Sequence, residues 1–529
     1  MRRLFLPLSR RTFVKLGAAS AAAYAIPLSG CGSPARVEEV ENLIIGSGFG
    51  GSIAAYRLAE RGVSSTILER GRRWTVTTPG EDVFSNMGIS GDDRFDNRSA
   101  WLAERQPLPG IPMSGAPMRP YTGVLEKIYG DGMNIVCASC VGGGSVVYSG
   151  MMVQPPQNLF EEVFPDGIEY AAMNDQWYPL VRSMMTPAAS TLPDDILAMP
   201  QWAATRTFLE QATKAGYDAQ RMLCAFDWEA ARAEARGDLP PQLIRGHYIF
   251  GLNSGAKGTL DRSYLGLAED TGLVDVRPLH WVQRIAREGE RYRVEVDRID
   301  EQGVVLEQIV YLSDTLFVCA GSANTTGLLL RAKAEGGLPD LPESLGTGWG
   351  NNGQHILARR NVGVDTGAFQ AGPACAMILD HENRIAMENG PAPLGLEQQI
   401  LISTGQGIPT SRGRITWDAA EQKVGVSWQA SFDQESADAS LAILDRLNMA
   451  NAGERYTIPG LDEPITFHPL GGCVMGETAD LFGRVNGYPG LYVLDGALIP
   501  GCTPCSNPFW TIAANAERCI ATLRDTDFA

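Results

Sequence analysis

The chain has 529 residues with 61 acidic and 44 basic side chains, a formal net charge of −17. An acidic balance of this size argues against nucleic acid as a partner, because binding the phosphate backbone needs positive charge. The length exceeds a single typical core and predicts two domains, and 59 Gly with 32 Pro indicate many loops on a mixed α/β frame.

The first residues have the pattern of an export signal. Arg10 and Arg11 are followed by Lys15 and then by fifteen uncharged residues, 16–30, directly before Cys31. This run is too short and too rich in Ala and Gly to span a bilayer comfortably, and with its basic front it indicates a twin-arginine signal over residues 1–30. Its end, LSGC, resembles a bacterial lipobox, which predicts that Cys31 is lipidated and that 31–37 are a linker. Ordinary cleavage nearby is the alternative.

Export in folded form constrains cofactor and location. A tightly bound cofactor inserted in the cytoplasm fits this route better than a freely exchanging nicotinamide. We expect the protein in the cell envelope or secreted, and a diacylglycerol with an amide-linked chain would hold it stably at a membrane surface. Without residues 1–30, which carry five basic and no acidic side chains, the net charge becomes −22.

A dinucleotide-binding unit follows the linker. Leu43 to Ile45 predict a buried strand, G-x-G-x-x-G leads into an apolar helix face, and a second strand ends at Glu69, 23 residues after Gly46. The glycines permit a tight turn, approach of a pyrophosphate to the helix N-terminus and close helix packing, while the carboxylate accepts from ribose hydroxyls. The motif alone does not separate FAD from NAD, but the export argument favours FAD. The candidate cofactor residues of this unit are Gly46, Gly48, Phe49, Gly50, Gly51 and Glu69.

Two further glycine-rich segments support a flavin. VGGGSVVYSGMM, residues 141–152, lets main chain approach a planar ring or a phosphate without a Cβ in the way. TLFVCAGSANTTGLLL, residues 315–330, predicts a strand, a glycine turn and a helix. Each could be only a tight turn, but together with the first unit they indicate one discontinuous cofactor domain. The candidates here are Gly142, Gly143, Gly144, Ser145, Gly150, Met151 and Gly321.

The motifs IIGSGFGG, VGGGSVV, GWGNNG, HPLGGC, LYVLDGALIPG and NPFWTIAANAER, in that order, resemble the glucose-methanol-choline (GMC) flavin oxidoreductases, and within them the bacterial cholesterol oxidases. The resemblance covers nearly the whole chain after the signal and implies noncovalent FAD. It implies a Rossmann-like FAD domain over 38–153, 250–353 and 466–529. A substrate domain over 154–249 and 354–465 would place an antiparallel or mixed sheet with covering helices over the ring. The further cofactor residues that it implies are Val282, Asp495, Gly496, Asn507, Pro508 and Phe509.

His468, one of five histidines, could by itself be a core residue, a metal ligand or a proton acceptor. The resemblance implies that it orients the substrate hydroxyl and helps to remove its proton, and that Asn507 offers an amide beside the flavin. It also implies that Glu388 moves a proton from C4 to C6 and so converts a Δ5 ketone to its Δ4 isomer. Such a shuttle needs a raised pKa in an apolar pocket. A solvated glutamate on a turn is the alternative, since the local pattern resembles a loop.

Two loops depart from the family pattern. Tyr148 stands where relatives usually have asparagine, and the loop from Pro500 to Asn507 is one residue longer. Each loop also carries a CxxC, Cys137 with Cys140 and Cys502 with Cys505, which leaves disulfides, a metal and buried thiols open. We assign no metal site, because the other histidines show no ligand spacing.

The predicted function is FAD-dependent oxidation of a 3β-hydroxysterol to the 3-ketone with O2 as acceptor, giving H2O2, with isomerisation of the product. One alternative is a GMC-type alcohol or sterol dehydrogenase that passes electrons to a respiratory acceptor. Another is a noncatalytic sterol-binding lipoprotein. The sequence predicts no oligomeric state.

Overall fold

The computed structural model describes residues 36–86, 96–107, 115–185, 190–392, 399–458 and 463–529. Val37–Ala529 form one compact unit. The predicted export signal and Cys31 lie outside the described residues. No helix in these described segments is both long and apolar enough to cross a membrane.

Strands and helices occur along the whole described chain, with runs of consecutive strands from 274 to 318 and from 354 to 427. The described strands are β1 (Arg36–Ile45), β2 (Ser65–Leu68), β3 (Leu125–Ile128), β4 (Asn134–Ala138), β5 (Met151–Met152), β6 (Ser190–Thr191), β7 (Ala219–Arg221), β8 (Leu223–Cys224), β9 (Val274–Arg277), β10 (His280–Glu288), β11 (Arg291–Ile299), β12 (Val305–Val318), β13 (Gln354–Arg360), β14 (Ala376–Asp380), β15 (Ile385–Gly390), β16 (Ile400–Gln406), β17 (Arg414–Asp418), β18 (Lys423–Ser427), β19 (Glu454–Tyr456), β20 (Ile465–Thr466) and β21 (Leu491–Tyr492). The described α-helices are α1 (Phe49–Ala59), α2 (Gly144–Val147), α3 (Gln157–Val163), α4 (Tyr170–Ala172), α5 (Tyr178–Met185), α6 (Asp194–Leu197), α7 (Ala203–Lys214), α8 (Glu229–Arg236), α9 (Tyr264–Asp270), α10 (Ser322–Ala334), α11 (Gln434–Ala450) and α12 (Pro508–Thr526).

A seven-stranded mixed sheet carries the dinucleotide unit. Its order is β10-β11-β12-β1-β2-β9, with β21 paired to β12. The pairs β1–β2, β2–β9 and β12–β21 are parallel, whereas β10, β11 and β12 form antiparallel hairpins. The predicted order of strand, glycine turn, helix and strand is confirmed in β1, α1 and β2. The second such unit, predicted within 315–330, is confirmed in β12 and α10.

A six-stranded antiparallel sheet, β19-β13-β16-β15-β14-β7, lies in the second half of the chain. One of its faces packs against α7 and α11 through apolar side chains that include Phe208, Met387 and Ile443. The other face carries Gln354, Glu388 and Gln406, because the register pairs Gln354 with Gln406 and Gln406 with Ala386, two residues before Glu388. The sheet thus has one side covered by helices and one side on which these three polar residues lie among apolar neighbours such as Met377 and Ala386.

The two sheets follow the predicted domain ranges strand by strand. All strands of the seven-stranded sheet after β1 lie within 38–153, 250–353 and 466–529, and all strands of the six-stranded sheet lie within 154–249 and 354–465. β1 begins at Arg36, inside the predicted linker. Both sheets belong to one compact unit, so the division into two domains stays a prediction.

Candidate active site

The turn after β1 brings the predicted dinucleotide residues together. Gly46 has φ +94°, and a Cβ there would lie 2.3 Å from the carbonyl oxygen of Cys319, so only glycine fits. Glu69, at the end of β2, is buried and accepts from Ser47 N at 3.2 Å, Ser47 Oγ at 2.8 Å and Gly71 N at 2.9 Å. The N-cap of α1, Gly48, provides no side-chain cap for the helix. The first backbone amides of α1 therefore have no capping side chain as a hydrogen-bond partner.

The triple-glycine segment lies directly against this turn. Gly142 N donates to Ser47 Oγ at 3.1 Å, and a Cβ on Gly143 would lie 2.8 Å from the Cα of Gly48. Ser145 Oγ donates to Gly142 O at 2.7 Å and fixes the first turn of α2. The two glycine segments, about 95 residues apart in sequence, therefore form one surface, the glycine cradle.

Residues from the last part of the chain extend the glycine cradle. Asp495 is buried and accepts from Gly321 N at 2.7 Å and from Thr325 Oγ1 at 2.6 Å, which ties the third glycine segment to the C-terminal one. A Cβ on Gly50 would lie 2.6 Å from Leu494 O, so α1 also packs against this segment. The structure thus brings together predicted cofactor residues of all four segments, namely Gly46, Gly48, Gly50, Glu69, Gly142, Gly143, Gly321 and Asp495. Val282 is buried on β10 and Met151 on β5.

This arrangement fits a dinucleotide. A Cβ added to Gly48, Gly144 or Gly321 would meet no atom within 4 Å, so open space lies over the glycine cradle. Uncapped helix amides attract a pyrophosphate, and the buried Glu69 carboxylate suits a ribose. The ring of Phe509 also lies 5.4 Å from that of Phe49 and 4.8 Å from that of Tyr148, which joins three of the predicted cofactor segments.

His468 lies two residues after the end of β20 and is only partly exposed. Its backbone N donates to Thr466 Oγ1 at 3.0 Å. Its imidazole Nδ1 is buried without a hydrogen-bond partner among the described residues. Burial lowers the pKa of His468 from 6.5 to about 4, because a low-dielectric surrounding disfavours the imidazolium. The side chain is therefore neutral at neutral pH and able to accept a proton.

Asn507 and Glu388 meet at the other side of this site. Asn507 is the N-cap of α12, and its Nδ2 donates to Glu388 Oε2 at 3.1 Å. The Oδ1 of Asn507 is buried and unpaired within the described residues. The structure thus brings together two of the predicted site residues, which lie 119 positions apart in the sequence.

Glu388 is a strand residue, and the alternative of a solvated glutamate on a turn is wrong. It lies on β15 with 7% of its surface exposed. Its strand neighbour is Met377. Burial in these surroundings raises the pKa of Glu388 from 4.5 to about 7, against the hydrogen bond from Asn507 and the nearby amide of Gln406, which both lower it. A carboxyl group with this pKa exchanges its proton near neutral pH.

The GWGNNG segment, at 348–353, holds the two site loops together. Gly350 exchanges both backbone hydrogen bonds with Leu470, two residues after His468, at 2.9 and 3.0 Å. Asn352 accepts from Thr503 N at 2.7 Å and donates to Ser506 O at 2.8 Å, next to Asn507. Sequence reasoning gave this segment no role. Its adjacent buried asparagines, the second with φ +61°, are the signal that it missed.

Tyr148, the departure from the family pattern, packs beside the glycine cradle. Its hydroxyl donates to Gly258 O, and its ring lies 5.9 Å from the ammonium of Lys257. Lys257 is buried and donates to Val146 O at 2.7 Å and Tyr248 O at 2.8 Å, and burial lowers its pKa well below 10.5. Lys257 thus clamps the segment that carries Tyr148, a role that its sequence context did not indicate.

The nine described cysteines are free thiols, including both CxxC pairs. Cys502 and Cys505 are buried in an apolar cluster with Met377 and Cys375. Burial raises the pKa of all four CxxC thiols. Of the three alternatives, the structure therefore contains free thiols rather than disulfides, with Cys137 partly exposed and the other three buried. No group of three or more potential ligands that could hold a metal occurs among the described residues.

Comparison with known proteins agrees with this geometry. The family models that match are the GMC oxidoreductase C-terminal domain, at 352–458, GMC oxidoreductase, at 409–516, and an NAD(P)-binding Rossmann-like domain, at 44–104. A cholesterol oxidase of Acinetobacter baumannii is 24% identical over 92% of this chain and 94% of its own. One of Mycobacterium tuberculosis is 25% identical over 90% and 89%.

Solved structures share the fold. Pyridoxine 4-oxidase from Mesorbium loti superposes with a TM-score of 0.62 at 15% identity, over 92% of this chain and 99% of that one. A fungal aryl-alcohol oxidase gives a TM-score of 0.60 at 12% identity with the same coverage. The matches to the GMC oxidoreductase models and to the two cholesterol oxidases, together with the glycine cradle, show that the chain belongs to the GMC oxidoreductase family, with FAD as its cofactor.

Proposed function

We propose that this protein oxidises the 3β-hydroxyl group of a cholesterol-like sterol to the 3-ketone, with O2 as the acceptor and H2O2 as a product, and then converts the Δ5 ketone to its Δ4 isomer. Relatives named cholesterol oxidase align with it over at least nine-tenths of the chain. Their identity of 24–25% supports the reaction class, and the residues of the site support the substrate class.

The observation that carries the proposal is the buried Glu388 carboxyl group. Oxidation of an alcohol alone, with His468 as the base, does not need a carboxyl group beside Asn507. A carboxyl group with a pKa of about 7, surrounded by Met377, Cys224 and the ring of Tyr248, is suited to take a proton from a carbon acid and return it. These apolar neighbours also fit a steroid skeleton better than a charged or sugar-like substrate.

The chain's own residues divide the chemistry between them. The glycine cradle and Glu69 would hold FAD, which when bound would supply the acceptor for the hydride of the carbinol carbon and the transfer of two electrons to O2. The neutral imidazole of His468 accepts a hydrogen bond from the substrate hydroxyl and takes up its proton. Asn507 Oδ1 offers a second buried acceptor. In the second reaction the ionised Glu388 removes a proton from C4, and the same carboxyl group delivers it to C6 as the double bond moves into conjugation.

The test is to add candidate sterols to the purified yellow holoenzyme and follow its absorption spectrum and peroxide release under air. Bleaching with peroxide formation supports the oxidase. Reduction of a dye without oxygen, with no peroxide in air, would instead indicate a dehydrogenase. Glu388→Gln should oxidise the alcohol but accumulate the unconjugated ketone, whereas Glu382→Gln, at an exposed turn position, should form the conjugated product. An unchanged product ratio in Glu388→Gln removes the isomerase from the proposal.

We also propose that the protein is exported in folded form and anchored to the membrane surface through Cys31. The support is the sequence pattern of residues 1–31. Metabolic labelling with a radioactive fatty acid, compared between the full chain and Cys31→Ser, tests it. Equal labelling of both proteins, or no labelling of either, contradicts the anchor. Cell fractionation of the double variant Arg10→Lys, Arg11→Lys tests the twin-arginine export route.

A further inference from the structure

Gln406 lies in the middle of a row of three polar side chains on the six-stranded sheet. It is the last residue of β16 and is paired with Gln354 on β13 and with Ala386 on β15. Directly paired residues of antiparallel strands point to the same face, and so does Glu388, two positions beyond Ala386. The row therefore runs Gln354, Gln406, Glu388 across three adjacent strands.

The two outer members of the row hold the two ends of the candidate active site. Glu388 is bonded to Asn507. Gln354 Oε1 accepts from Thr466 Oγ1 at 2.9 Å and from Phe467 N at 2.7 Å, and so fixes the residues directly before His468. Gln406 thus lies between the residue that binds Asn507 and the residue that positions His468.

The amide of Gln406 has no partner of its own. The residue is 0% exposed, and both Nε2 and Oε1 are buried without a hydrogen bond to any described residue. Gln211, a buried glutamine on α7, is the ordinary case, since its Nε2 donates to Val362 O and its Oε1 accepts from Arg359 Nη1, each at 2.8 Å. Burying an unpaired amide is costly and uncommon. The position of Gln406 therefore leaves Oε1 available to a group outside the described residues, while Nε2 faces the Glu388 carboxyl group.

We propose that Gln406 is a positioning residue of this site, which orients the Glu388 carboxyl group through Nε2. Its Oε1 accepts a hydrogen bond from the ligand, either from the hydroxyl group of the bulky apolar alcohol or from the water that takes its place. The ligand part of this inference rests on the proposed function, whereas the part concerning Glu388 does not. An interaction with Gln406 already lowers the pKa of Glu388, in the direction expected for an amide N–H that faces the carboxylate.

The experiment compares Gln406→Met, Gln406→Asn and the matched control Gln211→Met as holoenzymes. Gln406→Met should reduce kcat/KM about tenfold, the effect of one hydrogen bond at the reacting group, while its thermal unfolding midpoint without substrate stays at or above that of the wild type. Gln211→Met should do the reverse, losing stability but not turnover per folded molecule. Gln406→Asn, which keeps an amide, should recover part of the activity.

Infrared titration of the Glu388 carboxyl band, assigned with Glu388→Gln, supplies a readout that needs no substrate. Gln406→Met should raise the pKa of Glu388 by about half a pH unit or more, and Gln211→Met should leave it unchanged. A wild-type titration curve in Gln406→Met, or a stability loss equal to that of Gln211→Met with normal turnover, overturns the inference. If no sterol is oxidised but the titration shifts, the proposed function fails while the role of Gln406 toward Glu388 stands.

Discussion

Replacing Glu388 by Gln should remove a pH-dependent cost of folding. Glutamine keeps the shape of the side chain and an oxygen that accepts from Asn507 Nδ2, but it cannot ionise. The pKa of Glu388 is raised by burial from 4.5 to about 7. Because the folded protein binds this proton more tightly than the unfolded chain, stability is fully present below about pH 4.5 and is lost as the pH rises through about 7.

The size of this effect follows from the displacement of the pKa. Each pH unit corresponds to 1.36 kcal/mol, so ionising the buried carboxyl group costs the wild type about 3 kcal/mol. The titratable groups beside Glu388, Cys224 and Tyr248, have pKa values that burial raises, so they stay neutral in this range. The free energy of unfolding of Glu388→Gln relative to the wild type should therefore grow by about 3 kcal/mol between pH 4.5 and pH 8.5.

Denaturant unfolding of both holoenzymes with the same excess of FAD measures this difference. Glu382→Gln, with an exposed side chain on the turn between β14 and β15, is the control and should follow the wild type at every pH. A difference between Glu388→Gln and the wild type that does not change with pH would refute the reasoning, because it would mean that the carboxyl group titrates alike in the folded and unfolded states.

Three further changes test other parts of the site. His468→Gln should abolish most turnover while FAD stays bound. Because the depressed pKa of this imidazole makes the wild type lose stability as the pH falls, the variant should lose roughly 2 kcal/mol less stability between pH 6.5 and pH 4, a figure reduced for the partial exposure of the side chain. Acid unfolding curves of variant and wild type that coincide would contradict this. Asn352→Ala should lower the free energy of unfolding by about 2–3 kcal/mol and lower turnover, because Thr503 N and Ser506 O lose their buried partner. Asn352→Gly, which also relieves the positive φ, should be more stable than Asn352→Ala but no more active. Wild-type turnover in either variant would show that Asn352 does not hold the site loops in place. Gly143→Ala should lower the FAD content measured by absorbance, because its Cβ would collide with Gly48. Gly62→Ala is the matched control, since Gly62 has φ +80° and no atom lies within 4 Å of an added Cβ. Equal FAD content in both variants would show that the close contact with Gly48 does not matter for FAD binding.

The dinucleotide unit could be predicted because its chemistry is local. A strand, a glycine turn, a helix and an acidic residue at fixed spacing each have their own short-range reason, and β1, α1 and Glu69 follow that pattern. Glu388 was harder, since MENGPAP has the composition of a turn. In the structure β15 stays extended as far as Gly390 because it is paired with β14 and β16. No local sequence pattern reveals this pairing.

Gln354 and Gln406 could not be predicted, because their importance depends on register. Neither lies in a motif, and only the pairing of β13 with β16 places them side by side. Lys257 was missed for a related reason, since its environment comes from Val146 and Tyr248, which lie on other segments. The loop that is one residue longer than the family pattern places Cys505 at φ +54°, a conformation that a cysteine gives no reason to expect.

The hydrogen bond between Asn507 and Glu388 links the orientation of one group to the charge of the other. An ionised carboxylate only accepts, so it holds the NH2 end of the amide. Once Glu388 has captured a proton it becomes a donor, and the oxygen end of the same amide is the better match. A half-turn of the Asn507 side chain would then accompany each proton that Glu388 gains or releases, so that the orientation of this amide would follow the charge of the carboxyl group.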